Sequence, residues 1–519
     1  SYGYYPLTGL CRSIRPRQVS PDDNLLAYGY RLESGNLGLR VLEIDSTERI
    51  YATPEFDGKS IRRIDWSLDS QSLLFFNYHI RNKTGSVSRV DLIEKTTSEL
   101  ISGVTSYAVS RDGGLLSVAT NSFDTGPVPS ADLKLLDTTG QVDQLLIDTI
   151  SGEDRLFTFA WSPLTNEMLY QARYHFGGDE NDDPGNYPAG PLVLMRADGQ
   201  RSSILAENDR FPAPWLPYFW LNEQLILLPR AGSFMVLTRD GRVLFEQSMS
   251  TGSLVVPSPD HTLLAYVDFV DGDRSDPQVY ILDIETGSIH SAGPASDLWK
   301  EYGSNDTSIL RWSDDGAMLA WNRTTSYEEI SVGELYVHDV DTHGTELITS
   351  DFLHISTRIE PNNQSSYGDF DGSFSWLQGE TLLEYIVDTG AGLELTLADP
   401  IEQTTQTIGM IAPGLDTACR YARVWRSRKQ VLWNRCGDGV YYSRIGVDQE
   451  VSSDKVYERD LSYPRQSKNH EFVVAQSLVL SKPLGRDQYW VVFDFVVGKM
   501  LKVEIPPQHA QPVLMTLLQ

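Results

Sequence analysis

The chain has 519 residues, with 43 Lys and Arg set against 71 Asp and Glu, giving a formal net charge of −28 and a pI near 4.6. Such a field repels nucleic-acid phosphates and anionic lipid, and it favours cations and basic partner surfaces. Apolar residues make up 40% and aromatics 10%, which excludes global disorder; no run approaches the roughly eighteen apolar residues of a membrane helix.

Taken in chain order, one half-motif keeps returning: a short polar turn followed by an apolar strand. It reads Val19-Ser20-Pro21-Asp22 before Leu25-Leu26-Ala27-Tyr28, and Trp66-Ser67-Leu68-Asp69 before Leu73-Leu74-Phe75-Phe76. Further copies begin at Val109, Trp161, Pro257, Trp312, Trp376 and Trp425, with degenerate ones at Trp220 and Gln466. A third, alternating strand, such as Val279-Tyr280-Ile281-Leu282-Asp283, recurs from Arg40, Val87, Leu133, Leu192, Phe234, Val279, Leu335, Leu393, Val440 and Tyr489. Period-2 alternation marks half-buried strands, and Gly-containing turns such as Asp240-Gly241 and Thr286-Gly287 separate them.

Four short strands repeated every 40 to 60 residues is the arithmetic of propeller blades. The expected fold is all-β, a β-propeller of about ten four-stranded units. The approximate blades are 14–60, 61–103, 104–150, 155–207, 214–248, 252–292, 307–349, 371–411, 418–455 and 460–506. One closed ring is favoured, because no Pro/Ser-rich linker interrupts the rhythm, with residues 1–13 pairing with the last blade. Two five-bladed rings, or eight blades plus irregular units, are the alternatives. The recurring Trp66, Trp161, Trp312, Trp376 and Trp425 are read as filler between neighbouring blades.

The Trp-Ser-Pro-Asp turn, the Leu-Ala-Tyr strand and the Tyr-Ile-Leu-Asp strand resemble the TolB-like (WD-like) β-propeller repeats over nearly the whole chain. That family occurs in bacterial periplasmic proteins and in the propeller domains of prolyl-oligopeptidase-type enzymes, so the resemblance implies fold more than function. It also implies strands A to D running outward from the axis. The A–B and C–D turns then share one face, and the B–C and D–A loops share the other.

Long segments sort onto the second face: 121–132, 174–191, 268–278, 322–334 and 476–488 as B–C loops, and 206–214, 292–307 and 350–372 as D–A loops. Long loops on a rigid scaffold usually carry function, so this is the expected working surface. It is acidic, with Asp179, Glu180, Asp182, Asp183, Asp268, Asp271, Asp273, Asp276, Asp369 and Asp371. Oxygen-rich loops of this kind suit Ca²⁺, but none has EF-hand spacing, so the expectation is solvated acidic loops and no cofactor, with calcium as the alternative. The opposite face carries a basic turn, Arg426, Arg428 and Lys429, suited to an acidic partner or an anion. Cys419 and Cys436 are placed symmetrically about that turn; if the hairpin pairs Trp425 with Gln430 and Val424 with Val431, they face each other within disulfide range. A disulfide fits an oxidising compartment. Trp215 and Tyr218, in the Pro-rich segment 211–220, form an aromatic patch suited to sugar stacking or protein docking if exposed.

No Gly-x-Ser-x-Gly elbow is present, so the hydrolase half of prolyl oligopeptidases is missing. The nine histidines are scattered without metal-ligand spacing, and His338 and His343, which straddle a turn, read as surface residues. The expected function is therefore a non-catalytic propeller scaffold or accessory subunit that binds protein partners outside the cytoplasm, in the periplasm or at the cell surface. The alternative is a carbohydrate-active or glycan-binding propeller with a site in its channel. Ser1 is not followed by a charged and then an apolar segment, so a leader already removed, or a chain trimmed at its start, is expected.

Overall fold

The computed structural model describes the strands from Arg17 to Glu504 and most of their tight turns; residues 1–16, 505–519 and many of the connecting loops lie outside the described residues. Among the described residues all regular structure is β, in ten successive units of four antiparallel strands, A to D, each paired with the next in chain order. The ten alternating stretches read from the sequence all lie in the third strands, from Leu37–Glu43 in blade 1 to Tyr489–Asp494 in blade 10.

Two joins depart from separate blades. The fourteen-residue strand Thr96–Val109 pairs through Thr96–Val104 with blade 2 and through Val104–Val109 with blade 3. Gly103, at φ 72, stands where it changes partners. Blades 7 and 8 are joined by one pair, Phe352 in the last strand of blade 7 with Val387 in the second strand of blade 8.

A single four-stranded blade cannot bury both faces, so the cores lie between blades. Eight apolar clusters link blade 1 to blade 9 pair by pair. The cluster between blades 5 and 6 packs Phe234 against Tyr266 at 5.2 Å between ring centroids, so the packing continues where two five-bladed rings would break. The segment expected to close the ring, residues 1–13, lies outside the described residues.

The recurring tryptophans do more than fill space. Four of their indole N–H groups reach back one blade: Trp66 to Gln18 O at 3.0 Å, Trp161 to Ser117 Oγ at 2.9 Å, Trp312 to Val256 O at 3.1 Å and Trp376 to Arg311 O at 2.9 Å. The ring fills the seam and the N–H fixes its height against the preceding blade.

The Ser-x-Asp of each A–B turn is explained by the same hydrogen bonds five times. The hydroxyls of Ser20, Ser67, Ser110, Ser258 and Ser313 donate to the aspartate two residues on, at 2.5–2.6 Å. Each hydroxyl also accepts the N–H that opens strand B, at 2.9–3.0 Å. Each aspartate then caps the backbone N–H two residues further on.

These bonds hold the five carboxyls below the usual aspartate range. The serine hydroxyl is the leading cause for Asp69, Asp112 and Asp315; at Asp22 and Asp260 partial burial opposes the shift and the combined hydrogen bonds outweigh it. A carboxyl with a lowered folded pKa contributes stability that is present above its unfolded value, about 3.9, and lost as pH falls through the folded one. Above pH 5 the self-repulsion of a −28 chain works against compactness. The thermal midpoint is thus expected to rise from pH 8 to about pH 5 and to drop below pH 4, with Ser313→Ala flattening part of the acid limb. A midpoint unchanged between pH 5 and pH 3 would refute this role for the turns.

Candidate functional site

Tight turns and long connections separate by face. No A–B turn is longer than 377–382 and no C–D turn is longer than 138–144. The longest connections, 175–191, 206–218, 295–309, 356–373, 413–423 and 478–488, are all of the B–C or D–A kind. Several loops are shorter than the sequence suggests because the strands run further into them, leaving 123–129, 270–276 and 324–329.

Of the acidic residues assigned to this face, Asp268 alone is described. It is half-buried on the B strand Leu263–Phe269, with its carboxylate accepting the Phe269 N–H at 2.8 Å, and after burial it is the next cause that raises the neighbouring Tyr266 phenol. Asp179, Glu180, Asp182, Asp183, Asp271, Asp273, Asp276, Asp369 and Asp371 lie outside the described residues, as do Trp215 and Tyr218. Arg426 is on the A strand of blade 9, Val424–Ser427, while Arg428 and Lys429 fall in the connection beyond it, outside the described residues.

The hairpin register requires a correction. Val424 faces Trp433 and Trp425 faces Leu432, so the strands are offset by two residues from the symmetric pairing. The turn is centred on residues 428 and 429, one residue further along the chain than the symmetric reading places it, which moves the register by two. The opposition of Cys419 and Cys436 therefore loses its geometric basis; both cysteines lie outside the described residues.

Two charged clusters link neighbouring blades. On inner strands, Arg63 Nε donates to Asp65 at 3.0 Å, Arg63 Nη1 donates to Tyr107 O at 3.1 Å, and the Tyr107 hydroxyl donates to Asp65. Burial and then the Asp65 charge push the Tyr107 phenol well above its ordinary value. On the turn face, the buried Glu167 of blade 4 meets Arg239 of blade 5 and lies 3.6 Å from Arg196, at the floor of a shallow cleft. In the second cluster opposite charges meet across the seam; in the first the Arg63–Asp65 pair lies on one strand and Tyr107 of the next blade bonds to both of its members.

A third cluster was not legible in the sequence. His290 is the second residue of the D strand of blade 6, Ile289–Pro294; His338 lies near the end of the C strand of blade 7, Ile330–Asp339; and His343 sits in the turn after that strand. Their ligand-capable nitrogens all lie within 4.8 Å of one another. His338 is 1% exposed, so its reading as a surface residue is corrected, whereas His343 is exposed. The imidazoles of His290 and His338 approach at 3.4 Å between their Nε2 atoms, and His290 meets His343 edge-on at 4.7 Å between centroids. Burial, followed by the His290 and His343 charges, pushes His338 down to about 4; burial and then His343 lower His290. The missed signal is a pair of histidines flanking a C–D turn, with a third placed on the facing edge of the preceding blade.

No family model matches the chain, and no curated protein matches it. Among solved structures it is similar to an oligogalacturonate lyase in complex with manganese, at 13% identity and a TM-score of 0.35 over 74% of this chain and 87% of that one. It is also similar to the β-propeller domain of the Trilobed protease from Pyrococcus furiosus, at 10% identity and a TM-score of 0.30 over 76% and 94% of the two chains. A eukaryotic initiation factor is similar over 93% of this chain and 96% of its own, at 11% identity and a TM-score of 0.45. These likenesses concern the fold alone.

Proposed function

We propose that this β-propeller is a non-catalytic interaction scaffold that engages protein partners through its B–C and D–A loops. The observation supporting the reading is the asymmetry of the connections: A–B and C–D turns are short, while the longest connections emerge on the other side. A rigid body that varies only one set of loops is the usual arrangement of a binding surface. The sequence of those loops adds sign. The segment 174–191 contains Asp179, Glu180, Asp182 and Asp183, so the complementary partner presents a basic surface.

Placement outside the cytoplasm rests on the resemblance to periplasmic repeat proteins, since the cysteine pairing no longer supports it. A channel site acting on carbohydrate would need carboxylates or histidines converging on the axis. The inner-strand cluster of Arg63, Asp65 and Tyr107 instead directs its polar groups at one another.

The reading is tested by cross-linking mass spectrometry on the protein isolated gently from its source, beside a variant carrying Asp179→Lys, Asp182→Lys and Asp183→Lys. Expected are reproducible cross-links from 174–191 or 356–373 to another chain, lost in the variant and weakened by salt. Cross-links confined to the A–B and C–D turns, or a partner-free monomer, would overturn it.

A further inference from the structure

The three histidines between blades 6 and 7 stand on the turn face, away from the loops of the functional reading, and their chemistry is independent of that reading. We propose that His290, His338 and His343 bind one divalent transition-metal ion of the zinc type, which staples blade 6 to blade 7 and keeps a coordination position open on the solvent side of His343.

Orientation supports this first. The Thr345 hydroxyl donates to the Ala292 carbonyl of blade 6, which commits its single hydrogen. Thr345 Oγ1 lies 2.8 Å from His338 Nδ1 and must therefore accept a proton from it. That assignment, made from the network, places the hydrogen on Nδ1 and leaves the lone pair on Nε2, aimed at His290. A second hydrogen bond that fixes the tautomer of a buried imidazole is the usual outer support of a histidine ligand.

Distance agrees with orientation. Two imidazole nitrogens at about 2.0–2.1 Å from a tetrahedral zinc sit roughly 3.3 Å apart. The Nε2 atoms of His290 and His338 are 3.4 Å apart. All three nitrogens already lie within 4.8 Å, and His343, exposed on its turn, closes the set by rotating its own side chain. A ligand set of three imidazole nitrogens favours zinc-type metals over calcium or magnesium.

The backbone adds a third support. His343 adopts φ 55, a left-handed conformation that costs a non-glycine residue energy. The equivalent turn of blade 6 places Gly287 there, at φ 71, while blades 2 and 8 carry Lys95 and Gln403 at φ 51 and 54. The turn therefore forms without an imidazole, and the imidazole supplies something the turn does not need.

That makes His343→Gly a clean test, because it suits the left-handed position and removes only the ligand. The full chain, stripped with chelator, is titrated with Zn²⁺ and separately with Co²⁺, beside His343→Gly, the double variant His290→Gln/His343→Gly, and His261→Gln as a control in another turn. Expected are one equivalent of Zn²⁺ bound, a tetrahedral Co²⁺ absorption spectrum, and a thermal midpoint raised by Zn²⁺. His343→Gly should lose at least tenfold in affinity with a metal-free midpoint no lower than the wild type; the double variant should lose the cobalt spectrum; and His261→Gln should behave as wild type. No binding by the wild-type chain, or equal binding by the wild type and the double variant, overturns the proposal; the latter would assign the metal to the acidic loops.

Discussion

Trp321→Ala is expected to lower the stability of the chain by about 3–5 kcal/mol, the upper range for truncating a buried aromatic residue. Trp321 is fully buried in the cluster between blades 6 and 7, stacks on Tyr336 at 5.6 Å and 15°, and donates its indole N–H to Pro294 O at 2.9 Å. Its ring edge comes within 3.1 Å of where a Cβ on Gly293 would sit, so the neighbouring blade is already in close contact and the seam cannot collapse into the space left. Trp321→Phe separates the contributions: most apolar burial remains and the hydrogen bond is lost, for about 1 kcal/mol beyond the lost ring volume. Denaturant midpoints of the two variants check this, and an alanine cost below about 1 kcal/mol would mean that the seam is not close-packed.

Gly241→Ala is the second large effect, about 2–4 kcal/mol, combining left-handed strain with a clash. Gly241 has φ 88, and a Cβ there would lie 2.3 Å from the carbonyl oxygen of Ile204 in the preceding blade. Backbone cannot move aside as a flexible side chain does. Gly390→Ala is the matched control, because its φ of 72 imposes similar strain while a Cβ there meets nothing within 4 Å. Equal thermal shifts for the two would refute the inter-blade clash.

The repeat was legible because its cause is local. Ser-x-Asp before an apolar strand builds its own turn, and alternation in a third strand such as Pro277–Asp283 needs no knowledge of neighbours. Strand ends were less legible: the D strand of blade 7 runs to Ile355 and the strand Thr96–Val109 serves two blades, both decided by pairing with distant residues. The hairpin at Trp425 misled because a turn centre misplaced by one residue shifts the register by two. The histidine cluster lay out of reach for another reason. His290 and His338 are one repeat apart, and only the stacking of blade on blade turns that separation into 3.4 Å.

The backward reach of the tryptophans gives the molecule a direction in time. Gln18, Ser117, Val256 and Arg311, whose oxygens accept the indole N–H groups, all precede their donors in the chain. As the chain leaves the ribosome from its N-terminus, each acceptor is in place before the indole that seeks it has been made. At these four seams the order of synthesis thus matches the order in which the bonds can close, the acceptor edge coming first.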